Sequence, residues 1–129
     1  MKTFTISLFL LVLLLPLLGA AQQLTNEQKA EYLEELTENP EISGGMKALS
    51  KAIEYPKEAV EKGISGTVLV TAFIGKDGTV DATEVLKSDN TVFDGAALTA
   101  VKGVKFTPGK VKGSIVKARV VVPIKFRLD

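Results

Sequence analysis

In this chain of 129 residues the groups able to move protons or hold a metal are mostly carboxylates and amines. Asp and Glu total 15, Lys and Arg total 16, and histidine and cysteine are absent. Without histidine the chain lacks the usual general base near neutral pH and the commonest metal ligand. Without cysteine it can form neither a disulfide nor a thiolate metal site. Asp77, Asp81, Glu84, Asp89 and Asp94 are the carboxylates in which an acid/base pair or a calcium loop would be sought. Asp77 reads instead as a turn residue before Gly78, Asp89 and Asp94 lie at a predicted helix start, and the calcium-loop spacing is absent. The expectation is a non-enzymatic chain with no cofactor and no metal.

Backbone hydrogen bonding is the chemistry suggested by the last segment. Val116, Ala118, Val120, Val122, Ile124, Phe126 and Leu128 hold even positions, while Lys117, Arg119, Lys125 and Arg127 share the odd ones with Ile115, Val121 and Pro123. Strand side chains alternate between faces, so the pattern predicts a strand with one core face and one basic face. Pro123 has no N–H to donate, which puts the strand at a sheet edge with that position turned outward, and confines an added strand to the half before it. An edge is a row of unpaired N–H and C=O groups to which an extended peptide can add. The same row permits a strand-exchanged homodimer. In the competing reading the four basic residues are gatekeepers that stop such pairing. The basic face lacks interleaved aromatics, so no nucleic acid is expected as partner. Weak attraction to anionic lipid or cell-wall polymer needs only the charge, which leaves an envelope interaction module as the alternative function.

These residues need elements to hold them. Thr25-Asn26-Glu27-Gln28 reads as a capping box opening a short helix, with Tyr32, Leu33 and Leu36 as its apolar stripe, solvated acidic residues around them, and Asn39-Pro40 as its end. Met46, Leu49 and Ile53 recur at helical spacing. Tyr55-Pro56 then breaks that helix and starts another, which runs through Ala59 and Val60 to a stop at Gly63. Gly66 to Ile74 is a strand with Val68, Val70, Ala72 and Ile74 on one face. Asp77-Gly78 turns it into a returning strand from Thr79 to Lys87, with a bulge near Thr83-Glu84-Val85-Leu86. Phe93, Ala97, Ala100, Val101 and Val104 give the main helix its apolar face, and Lys105-Phe106-Thr107 lays a ring on the core. The predicted fold is α+β: a small antiparallel β-sheet, made of a hairpin plus a C-terminal edge strand, with helices packed on one face.

Lys2, the apolar run from Ile6 to Leu18 and the small residues Gly19-Ala20-Ala21 are laid out as an export signal. The run is shorter than the roughly 20 residues a membrane-crossing helix needs. The expected organisation is a cleavable signal peptide at 1–21, an acidic helical extension at 22–44 and the main domain at 45–129, with no membrane span after cleavage. Glu27, Glu31, Glu34, Glu35, Glu38 and Glu41 crowd the start of the mature chain, and Lys102, Lys105, Lys110, Lys112, Lys117, Arg119, Lys125 and Arg127 crowd its end. The domain is a charge dipole, and its acidic start could fold back over the basic strand and mask it.

From about Gly45 to Leu128 the chain resembles the TonB C-terminal domain family. The landmarks, in order, are Ala48-Leu49-Ser50 with Tyr55-Pro56; Gly63-Ile64-Ser65-Gly66-Thr67-Val68; Asp77-Gly78-Thr79-Val80; Val85-Leu86-Lys87-Ser88; Phe93-Asp94; Lys105-Phe106-Thr107-Pro108-Gly109; and Val122-Pro123-Ile124-Lys125-Phe126. The resemblance implies a periplasmic, energy-transducer-like domain of a Gram-negative cell. It also implies binding of a short peptide, the TonB box, of an outer-membrane transporter by β-strand addition. The family's binding strand falls on Ile115, Val116, Lys117, Ala118, Arg119, Val120, Val121 and Val122, and its Tyr-Pro region on Lys51, Tyr55 and Pro56. Family members that transduce force keep an uncleaved anchor and a long proline-rich linker, so a stand-alone binding role is expected here.

Overall fold

A computed structural model of the chain describes residues 23–128; the expected signal segment lies outside them. Strand β1 (Gly66–Ile74) is the centre of a three-stranded antiparallel sheet ordered β2-β1-β5, with β2 at Val80–Ser88 and β5 at Ala118–Phe126. The hairpin is as expected, with Gly78 taking the positive φ (84°) of its turn. A side chain at Gly78 would run into the Phe106 carbonyl oxygen, which would lie 2.0 Å from an added Cβ. The β1–β2 register skips Leu86 and Asp81, so the bulge foreseen near Thr83 to Leu86 is present and a second one sits at Asp81. The β1–β5 register runs unbroken from Gly66 opposite Phe126 to Ile74 opposite Ala118.

Helices α1 (Asn26–Lys29), α2 (Gly45–Ala52), α3 (Lys57–Lys62) and α4 (Asp94–Lys102) complete the frame, and a 3₁₀ turn at Thr91–Phe93 leads into α4. Helix α3 stops at Gly63 in the left-handed conformation (φ 64°), as its position after Val60 suggested. Val68, Val70, Ala72 and Ile74 are fully buried in the same core as Leu49, Ala97, Ala100 and Val101. Phe93 and Phe126 stack at 4.4 Å, and the Tyr55 ring meets both edge-on. Burying each such ring contributes ~1.5–3 kcal/mol.

The other face of the sheet is closed by the segment before α2. The helix expected through Tyr32, Leu33 and Leu36 ends at Lys29, and the capping box of Thr25 and Gln28 holds a single turn. An isolated helix this short is marginal in water. Here burial of Tyr32 against Phe73, with rings 5.3 Å apart and edge-on, wins over its continuation. Tyr32 is 4% and Phe73 1% exposed. The chain then rounds β5 in extended form. Leu33 donates its N–H to the Lys117 carbonyl (2.9 Å) and accepts from the Arg119 N–H (3.0 Å). Glu38 pairs with Lys110, and Ile42 with Phe106. Residues 30–44 are therefore a strap and not a solvated acidic helix.

The C-terminal segment is two strands, correcting the single strand expected from its alternation. Ser114–Val116 (β4) pairs with Gly109–Val111 (β3) across a turn at Lys112 and Gly113, and β5 begins only at Ala118. Opposite Ala118, β1 ends at Ile74 and the chain turns away at Gly75, so residues before Ala118 have no sheet partner there and pair with β3 instead.

Candidate peptide-binding edge

The free side of β5 follows from one hydrogen bond. Arg119 turns its N–H away from β1, toward Leu33. In an antiparallel ladder each residue directs both backbone groups the same way and its neighbours the opposite way. The continuous register then turns Val121, Pro123 and Lys125 outward as well. Pro123 lies where its missing donor costs no ladder bond, the position expected from the sequence. Beyond Leu33 the edge offers the Arg119 carbonyl, both backbone groups of Val121, the Pro123 carbonyl and both groups of Lys125.

This stretch borders a groove of about 660 Å³, whose lining includes Val121, Pro123, Phe106, Ile42, Pro40 and Met46. Met46 (63% exposed) and Val121 (49% exposed) are large apolar side chains open to solvent. A groove that joins unpaired backbone groups to apolar wall is suited to an extended peptide with alternating apolar side chains.

The basic residues are partly matched by the strap. Glu31 lies 3.9 Å from Lys117, Glu34 3.7 Å from Arg119, and Glu38 3.9 Å from Lys110. Arg119 also donates through Nε to the Tyr32 carbonyl (3.2 Å) and through Nη2 to the Lys29 carbonyl, with its guanidinium 5.2 Å from the Phe73 ring centre. The Tyr32 hydroxyl donates to Asp81 at 2.7 Å. Burial, then that bond, then the negative charges of Asp81 and Glu31 push the Tyr32 pKa well above the usual tyrosine range.

The residues expected to contact a partner divide into three places. Arg119, Val120, Val121 and Val122 line the groove, with Ala118 buried at its start and Lys117 half-buried under the strap. Ile115 and Val116 sit in the β3–β4 hairpin. Lys51, Tyr55 and Pro56 line a separate cleft of about 870 Å³ with Val92, Gly95 and Thr99. The Tyr55 hydroxyl is spent on the Ile64 carbonyl, so the residue chiefly locks the junction between α2 and α3. Sequence reasoning missed Leu33 and Met46 as parts of the edge. The charge complementarity of residues 31–38 to the basic end was the one sign of where the strap would lie.

Residues 51–128 match the family model described as Gram-negative bacterial TonB protein C-terminal. Protein TonB of Vibrio cholerae serotype O1 is 36% identical over 76 residues, covering 58% of this chain and 31% of that protein. Protein TonB of Helicobacter pylori strain J99 is 45% identical over 56 residues, covering 43% and 20%. The chain thus spans a third or less of the length of these relatives. The solution structure of the Helicobacter pylori TonB C-terminal domain is 31% identical and superposes with a TM-score of 0.48, covering 62% of this chain and 85% of that one. The family match begins at Lys51, so the strap lies outside it.

Proposed function

Given that the chain belongs to the family of Gram-negative TonB C-terminal domains, we propose that it is a non-enzymatic periplasmic module of TonB-dependent transport. It takes the TonB box, or a similar extended peptide of an outer-membrane transporter, as an added strand along β5. In this reading 1–21 is the export signal and 45–129 the binding domain. The observation that carries it is the outward-facing backbone of β5 from Arg119 to Lys125 beside the groove of Val121, Pro123 and Met46. Leu33 supports it, because a segment of the chain itself already pairs with this edge. The gatekeeper reading is weakened at Lys117 and Arg119, whose charges are turned to Glu31 and Glu34. Lys51 and the backbone around Pro56 form a second contact for the part of the partner beyond the strand.

Titration of residues 22–129 with peptides from transporter N-termini, followed by backbone NMR, tests this. Amide shifts concentrated at Arg119, Val121 and Lys125 are expected. Binding that leaves those amides unmoved, or that vanishes entirely at high salt, would transfer the function to another envelope partner.

A further inference from the structure

The strap does to β5 what a partner peptide would do. It approaches as an extended segment, forms two ladder hydrogen bonds through Leu33, and sets Glu31 and Glu34 against the basic residues on either side of Ala118. Lys117, Ala118 and Arg119, which a peptide paired along the first half of β5 would use, are the residues the strap covers.

We propose that residues 29–38 are a resident competitor for the β5 edge, and that the peptide able to displace them is an acidic extended segment. The inference rests on reading β5 as the peptide-accepting edge. Tyr32 anchors the strap on Phe73, where its ring is buried and its hydroxyl bonded to Asp81, so the strap stays attached to the back of the sheet when Leu33 lets go. Arg119 reinforces that anchor through the Tyr32 and Lys29 carbonyls, whereas the contacts of Leu33 and the acidic side chains are weaker. Leu33 is 41% exposed, and the side chains of Glu31, Glu34 and Glu38 are mostly in solvent. Exposed ion pairs of this kind are worth ~0–1 kcal/mol each. A segment held on both sides, by Tyr32 on Phe73 and by the two-way backbone pairing of Glu38 with Lys110, and loosely paired at Leu33 between them competes intramolecularly, at the high effective concentration of a short tether. Incoming peptide then meets a shortened edge from Arg119 to Lys125, and gains Lys117 and the Arg119 N–H only by lifting Leu33.

The test uses a labelled peptide with the sequence of residues 29–38 as probe and fluorescence anisotropy against the full chain. Leu33→Pro removes the N–H donated to Lys117 and opens the edge. This variant should bind the probe at least tenfold more tightly than the unaltered chain. Glu31→Gln, Glu34→Gln and Glu38→Gln together touch only exposed side chains, so the fold survives them, and they should tighten probe binding several-fold. Equal affinity for the triple variant and the unaltered chain overturns the proposal, whether or not Leu33→Pro folds. Transporter peptides run in parallel separate the two ideas. If they bind no variant while the probe binds the opened edge, the strap is a competitor and the transporter reading fails. If they bind all variants equally well at β5, the transporter reading stands and the competitor is refuted.

Discussion

The two edges of the sheet are both nine-residue strands paired to β1, yet only one keeps an unbroken register. β2 is bulged at Asp81 and Leu86, which twists it and breaks the even spacing of its outward groups. β5 keeps an unbroken register with β1 and shows what it can receive by pairing with Leu33. The difference teaches that bulges, more than charge, decide which edge is closed here, since both strands carry charged side chains.

The comparison can be broken most forcefully by unseating the strap. Tyr32→Ala removes the ring that covers Phe73 and should cost ~3 kcal/mol of stability, measured by urea unfolding. Leu33 and Arg119 N–H groups should lose hydrogen-exchange protection in the same variant while β2 keeps its own. Next comes Val121→Pro, which removes an outward donor and should weaken binding of an added peptide more than tenfold with little change in the melting temperature. The control lies on the other edge. The alternation that turns Val70 and Ala72 toward β5 turns Thr71 and Phe73 toward Glu84 and Ala82, so Thr83 faces outward. Thr83→Pro should leave peptide binding unchanged, and equal losses from the two prolines would show that the edges are equivalent after all.

Smaller effects come with pH. The raised pKa of Tyr32 means that the folded state resists its ionisation. The stability it contributes is complete below the ordinary tyrosine pKa and falls as pH climbs above about 10. Tyr32→Phe should flatten that alkaline decline in a denaturation series. At the hairpin, hydrogen bonds from the Thr79 hydroxyl and N–H hold the Asp77 pKa below the usual carboxylate value. Its contribution is present above the unfolded pKa and is lost as pH falls through the lowered one. Asp77→Ala should remove this slight acid dependence without altering the β5 edge.

Much of the fold was legible because its signals are local. The Asp77-Gly78 turn, the stop at Gly63, the apolar spacing of Phe93 to Val104 and the outward place of Pro123 depend on φ preferences, side-chain periodicity and a missing donor, all properties of a few neighbouring residues. The site was partly legible. Val121 and Val122 were expected at the edge, but Ile115 and Val116 belong to another hairpin because β1 turns away at Gly75, a limit set by a strand more than 40 positions earlier. Tyr32 and Leu33 fit a helical stripe as well as an extended strap. Only the tertiary structure chose between them, by supplying Phe73 as a surface for the ring and the Lys117 carbonyl as an acceptor. The sequence by itself determined the β1–β2 hairpin, the main helix, the basic strand and the acidic segment that complements it. Which segment covers which edge was decided by burial and ladder pairing between residues far apart in the chain, and those energies exist only once the sheet has formed.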